Sequence, residues 1–263
     1  MNSAGTPPPP MSAASRMAGW FVVGALFMLL GAPFGYRIGL LGENIAIGLF
    51  VIGAALALCA VATGLVGIVQ AVRRAAKPAT GVSSAISALI GGLAFAAILC
   101  WMVIPGWSAP RVHDVTTAPR NPPEFDALRA DHYAHRGYLG YHDYDRMTGG
   151  KVSAAYPKLR TLVFDRSLRQ VFTAAEAAAR DLHWTVVAAD STRGRIEARD
   201  WATIFGFVDD IVIRVRLNAS GYTILDIRSA SRSGAVDMGR NAARIARFVA
   251  ALERHLPKQS RPQ

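Results

Sequence analysis

Two kinds of residue are scarce in this 263-residue chain, and each scarcity rules something out. Cysteine occurs only twice, at Cys59 and Cys100, both inside long apolar runs. Beyond Trp107 a disulfide framework is therefore excluded, and so is a thiol nucleophile. Charge is the second scarcity, and it is local. Only five of the 29 Lys and Arg residues (Arg16, Arg37, Arg73, Arg74, Lys77) and one of the 18 acidic residues, Glu43, precede Trp107. No acidic, basic or histidine side chain lies deep in the apolar runs, which argues against a proton relay, an ion path or a voltage sensor. The chain also lacks a Gly-Lys-Ser/Thr phosphate loop, a dinucleotide fingerprint, an HExxH helix and a GxSxG elbow. No motif announces a reaction or a cofactor, and none is expected.

What fills the front part is hydrocarbon. Three apolar runs, 17–36, 45–72 and 82–104, each reach the roughly 18 to 20 residues needed to cross a bilayer. They predict three transmembrane helices behind a disordered cytoplasmic tail, residues 1–16, that contains Pro7 to Pro10. A cleaved leader fits the first run poorly, because only Arg16 precedes it and no small-residue cleavage site follows. The loop after the second run holds Arg73, Arg74 and Lys77, and by the positive-inside rule it is cytoplasmic. The N-terminus is then inside and everything after Trp107 is outside. In a bacterium this means an inner-membrane protein with a periplasmic C-terminal domain.

That domain carries 24 basic residues against 17 acidic ones, a net +7. Five prolines in 105–125 predict an extended strap over 107–125. A short helix is expected within 125–135 and otherwise loop up to Ala154. "FDRSLRQVFTAAEAAARDLHW" predicts a helix from Asp165 or Ser167, with Leu168, Val171, Phe172, Ala175, Ala179 and Leu182 on one face. "WTVVAAD", "RIEAR", "DIVIRVRLN" and "YTILDIRS" read as strands, the last two joined by a hairpin turn at "ASG". A final helix is expected from Asp237 as N-cap to His255, with Ile245, Phe248 and Leu252 inward. The expected fold is an α+β domain over 126–256, a mainly antiparallel sheet of about four strands packed against two helices, followed by a disordered tail, 257–263.

The segments "HDVTTAPRNPPEF", "AAYPKLR", "FGFVDDIVIRVR" and "IRSASRSGAVDMGRNAARI" resemble the motifs of the bacterial family called domain of unknown function 1499. The resemblance runs from Val112 to about Leu256, and Ala118 departs from the acidic residue the family carries there. It implies a domain boundary and supplies no reaction, substrate or catalytic residue.

Candidate sites follow from geometry. Asp209 and Asp210 are neighbours on a strand and point to opposite faces, so they cannot converge on one substrate atom. With the hairpin centred on Ala219 and Ser220, Leu217 would face Tyr222, Ile213 would face Asp226 and Ile211 would face Arg228. Asp226 and Arg228 would then share the apolar face, and charges there must be paired. This predicts one structural polar network of Asp209, Asp226, Arg228 and Asn241. The loop "SASRSGAVD" offers Ser231, Arg232 and Gly234 to an anion at a helix N-terminus, unless Asp237 fills those donors itself. Arg240, Arg244, Arg247 and Arg254 form one stripe on the last helix, either a solvated face or a contact for anionic lipid head groups.

His132, His135, His142 and Asp143 lie in an irregular stretch and predict a surface loop rather than a metal site. The pI near 10.3 raises nucleic acid. An extracytoplasmic domain with no nucleic-acid motif excludes that partner. The expectation is a membrane-anchored envelope protein whose outer domain is a non-catalytic binding or assembly module, with the bilayer, anionic lipid or another envelope protein as partner. The alternative is an enzyme on an envelope substrate, using Asp209, Asp226, Arg228 and the 229–234 loop.

Overall fold

The computed structural model describes residues 12–73, 82–104, 109–110, 112–134, 146–232 and 237–256. The chain divides into two compact units, Met1–Ile104 and Pro105–Gln263.

The first unit holds α1 (Ala13–Arg37), α2 (Glu43–Arg73) and α3 (Val82–Val103). α1 begins four residues earlier than the apolar run, because the Ser12 hydroxyl caps it by accepting the Ser15 N–H at 3.2 Å. Residues 13–16 are thus helical rather than part of a tail, and the rest of the expected tail lies outside the described residues. α1 and α2 are long and apolar enough to cross a membrane, with mean hydropathies of 1.9 and 2.7, while α3 offers a shorter apolar stretch, Ala85–Cys100. Glycine sets how closely these helices approach. A Cβ on Gly64 would sit 2.9 Å from the Ala85 carbonyl oxygen, and one on Gly92 2.9 Å from that of Ala57.

The second unit is α+β. Its elements are β1 (Asp114–Thr116), α4 (Arg129–Ala134), α5 (Arg146–Ala155), β2 (Leu162–Phe164), α6 (Leu168–Asp181), β3 (Thr185–Asp190), β4 (Arg195–Trp201), β5 (Val208–Leu217), β6 (Thr223–Ser231) and α7 (Arg240–His255). The sheet is antiparallel and has six strands, not four. Its order is β1-β6-β5-β4-β3, with β2 also beside β6. The two unexpected strands are three residues long, too short to show a period of two, and β1 lies within the expected strap. α5 was likewise expected as loop, since "RMTGGKVSAA" carries two glycines and little apolar period.

α6 starts where the sequence places it. Ser167 and Gln170 form a capping box, the hydroxyl accepting the Gln170 N–H and the Gln170 side chain accepting the Ser167 N–H. Val171, Phe172, Ala175, Ala178 and Ala179 of α6 and Ile245, Phe248, Ala251 and Leu252 of α7 cover one face of the sheet, against Ile196, Ala198, Ile211, Ile213, Val215, Leu225 and Ile227. Trp184 stacks on Phe248, centroids 5.5 Å apart at 16°. Each buried Val, Leu, Ile or Phe among them contributes on the order of 1.5–3 kcal/mol by leaving water, and each Ala less.

The β5–β6 register differs from expectation by one residue. Leu217 pairs with Thr223, Ile213 with Ile227 and Ile211 with Ser229. The connection is longer than the turn centred on Ala219 and Ser220, because Gly221 takes a left-handed φ of 82° and the Asn218 side chain accepts the N–H groups of Ser220 and Tyr222. A one-residue shift moves every side chain of β6 to the other face. Asp226 and Arg228 therefore leave the helix-covered face and stand on the opposite one, which residues 117–134 cover.

Candidate functional site

The charged residues fall into separate clusters on the two faces of the sheet. On the helix face, at the end where β6 finishes, Arg244 of α7 is 2% exposed. Its Nε donates to Asp200 Oδ2 at 2.8 Å, its Nη2 to Asp209, and its Nη1 to Ser229 Oγ at 3.1 Å and Asn241 Oδ1 at 2.6 Å. Asn241 donates onward to the His113 carbonyl at 3.0 Å and to Ser231 Oγ at 3.1 Å. One guanidinium thus ties α7 to β4, β5 and β6, while its neighbour Asn241 reaches the start of β1.

On the opposite face Arg228 makes a two-pronged pair with Asp114, Nε to Oδ1 at 2.9 Å and Nη2 to Oδ2 at 2.6 Å. Its Nη1 donates to the Pro123 carbonyl at 3.1 Å, and its Cζ lies 5.1 Å from the Phe125 ring centroid. Asp226 accepts from Thr161 Oγ1 at 2.6 Å, Arg214 at 2.8 Å and Arg216 at 3.4 Å, and Arg214 also donates to the Asn121 carbonyl at 2.7 Å. Asp210 accepts from Arg232 at 2.9 and 3.0 Å. Glu197, fully buried, accepts the N–H groups of Asp126 at 2.8 Å and Leu128 at 2.9 Å.

The expected single network of Asp209, Asp226, Arg228 and Asn241 is therefore three. Asp209 and Asn241 share Arg244, Asp226 gathers Arg214 and Arg216, and Arg228 belongs to Asp114. The slip in register separates them. The arginine stripe also changes: Arg244 is buried between carboxylates, while Arg240, Arg247 and Arg254 stay exposed. Asp209 and Asp210 do point to opposite faces, one to Arg244 and the other to Arg232.

α7 begins at Arg240, three residues beyond Asp237, because Met238 and Gly239 take left-handed φ of 53° and 78°. Asp237 still closes the helix start, accepting the Gly239 N–H and the Asn241 N–H at 2.8 Å each. Its own carboxylate thus occupies donors that an anion would use. Burial pushes its carboxyl above the ordinary carboxylate range, against the pull of those two hydrogen bonds, and the nearby Asp209 charge adds to the rise. Burial, then the charge of Asp237, likewise raises the Tyr156 hydroxyl.

Of the proposed anion loop, Ser231 and Arg232 are buried and bonded within the domain, and Gly234 lies outside the described residues. His132 sits on α4, and His135, His142 and Asp143 lie outside the described residues. Among the described residues no group of His, Cys, Asp and Glu is arranged to hold a metal ion. Sequence reasoning missed Asp114, Glu197, Asp200 and Arg214 as partners. A signal existed for Glu197, whose alternation with Ile196 and Ala198 already sets it on the face away from the core.

Two apolar helices long enough to cross a membrane, followed by an α+β domain with its charges turned on its own segments, define the class, and among the described residues no catalytic constellation is recognisable. Residues 114–252, more than half of the chain, match the family described as "Protein of unknown function (DUF1499)", and the chain belongs to that family. No curated protein and no solved structure matches it.

Proposed function

We propose that this is a bacterial inner-membrane protein, three helices deep in the bilayer, whose C-terminal domain is a non-catalytic binding or assembly module on the periplasmic side. The carrying observation is the engagement of its charged groups. Asp209, Asp210, Asp226, Arg228, Arg232 and Arg244 each bond to partners inside the domain, which fits a scaffold better than a reaction centre. A site built from Asp209, Asp226 and Arg228 would need them to converge, and they stand on opposite faces of the sheet. Arg240 and Arg247 remain exposed on α7 and provide the basic surface for anionic head groups or a protein partner. The basic loop of Arg73, Arg74 and Lys77 supports the orientation.

The test is to isolate the full chain from its native membranes in mild detergent and identify retained lipid and protein by mass spectrometry. Anionic lipid or a specific protein should copurify, and Arg240→Glu with Arg247→Glu should reduce it. Retention of neither, beyond what an unrelated three-helix protein carries, overturns the module reading. A C-terminal reporter active only in the cytoplasm overturns the orientation.

A further inference from the structure

The sheet has two ends, and they expose different chemistry. One end gathers the β4–β5 connection (202–207), the last residues of β6, the first of β1 and the start of α7. Trp201 is 45% exposed there and Met238 46%. In the connection that follows Trp201, Phe205 and Phe207 stack with centroids 5.0 Å apart at 1°, which stiffens this end.

The carboxylates at this end are occupied. Asp200 and Asp209 meet Arg244, Asp210 meets Arg232, Asp237 caps α7, and the more exposed Asp131 is shared by Arg199 and Arg232. Arg240 is left at the rim, exposed. The other end also exposes apolar groups, Leu217 at 55% and Tyr222 at 47%, but its turns carry Asp165 and Asp190 open to water.

The chain comes into the domain at the first end. Ala109 lies against Gly239, where an added Cβ would stand 3.2 Å from the alanine Cβ, and the Val112 carbonyl accepts the Asp237 N–H at 3.4 Å. Only seven residues of chain, 105–111, part Val112 from Ile104, where the last apolar helix runs out. The eight chain steps from Ile104 to Val112 reach about 28 Å when extended, less than the thickness of a bilayer with its head groups.

We infer that this end of the domain, with Trp201 and Met238 at its tip and Arg240 at its rim, rests in the head-group layer of a bilayer that carries anionic lipid. This deepens the reading of the chain as membrane-anchored and rests on it. An indole favours the boundary between hydrocarbon and water, a thioether adapts to disordered surroundings, and a guanidinium pairs with lipid phosphate. Two apolar side chains would hold a free domain only weakly. A short tether makes the contact intramolecular, and a small contact then suffices.

The test uses the full chain, with Cys59→Ala and Cys100→Ala, in phosphatidylcholine vesicles containing phosphatidylglycerol. A nitroxide is placed through Thr203→Cys, Met238→Cys or, at the far end, Ser220→Cys. Flotation with the vesicles checks the anchor. Collision with dissolved oxygen and with a water-soluble nickel chelate then reports depth. The oxygen-to-nickel ratio should be several-fold higher at 203 and 238 than at 220, and Trp201→Glu should bring the 203 ratio down to that of 220.

A chain that floats but shows equal ratios at all three positions overturns the inference and leaves the anchor standing. Protection of 203 and 238 from both colliders means a protein surface or a second copy covers this end, and overturns it too. A chain that does not float overturns the anchor reading and this one with it.

Discussion

The two faces of one sheet are built on opposite chemistry. Under α6 and α7 the strands present Ile196, Ile211, Ile213, Leu225 and Ile227, whereas under residues 117–134 the same strands present Glu197, Asp210, Arg214, Asp226 and Arg228. The coverings explain the difference. A helix satisfies its own backbone and brings only side chains to the sheet, so an apolar face suits it. Residues 117–128 form no helix or strand, and their N–H and C=O groups need partners where they are buried. The sheet supplies them: Glu197 takes the N–H groups of Asp126 and Leu128, and Arg228 and Arg214 give hydrogen bonds to the carbonyls of Pro123 and Asn121. A charged sheet face is here the docking surface for a segment of irregular backbone, and Phe125 and Leu128 of that segment join Val212 and Ala230 in a small apolar cluster.

This contrast can be broken from either side. The largest loss is expected from Arg228→Ala, which takes the two-pronged guanidinium contact away from the buried Asp114 and costs about 3–5 kcal/mol in urea unfolding of the full chain in detergent. Arg228→Met with Asp114→Leu should recover much of it by removing both charges. The strap should stay loose even so, because the Pro123 carbonyl loses its donor; full recovery of amide protection in the strap would show that the backbone argument is wrong.

Phe248→Ala, on the helix face, should cost a comparable ~3–5 kcal/mol through the cavity beside Trp184. Unlike the previous loss, it should spare hydrogen exchange at Asp126 and Leu128. Glu197→Gln removes one of two acceptors and should cost about 1–3 kcal/mol, speeding exchange at those two amides while α6 and α7 stay protected.

The smallest effect is a pH dependence. Asp237 has its carboxyl raised, so the folded domain holds that proton more tightly than the unfolded chain. Its contribution to stability is greatest in acid and is lost as pH rises through the folded value. Asp237→Asn should flatten stability against pH over the carboxylate range; an unchanged slope would remove Asp237 as its source.

Much of this was legible in the sequence where a period or a cap recurs over enough residues. Ser167, one of two candidate caps, and the apolar recurrence from Leu168 to Leu182 announced α6, and the alternation of Ile211, Ile213 and Val215 placed β5 on the core. β1 and β2 were not legible, since three residues carry no period and their pairing with β6 depends on residues far along the chain. The candidate site was misread at a single point. An extra residue in the turn at Gly221 reversed the face of Asp226 and Arg228, and the network inferred from the wrong face dissolved into separate pairs. Arg244 looked like part of a solvated stripe because sequence spacing gives a face but not its neighbour, and the neighbours are Asp200 and Asp209 on two other strands.

β6 is buried along all nine residues and has strands on both sides: β5 on one, and β1 and β2 end to end on the other. For synthesis this makes order matter. β1 is made first and β6 almost last, with 115 residues from Thr116 to Ser231. At ~5–20 residues per second the early strand waits roughly 6 to 23 s for its partner. During that interval residues 117–128 have no charged face to lie on, and the half-made domain leaves its polar backbone and the face of α6 open to whatever holds nascent chains. The last strand is therefore also the step that closes the sheet, and truncation before Ser231 should leave a chain whose C-terminal unit never assembles.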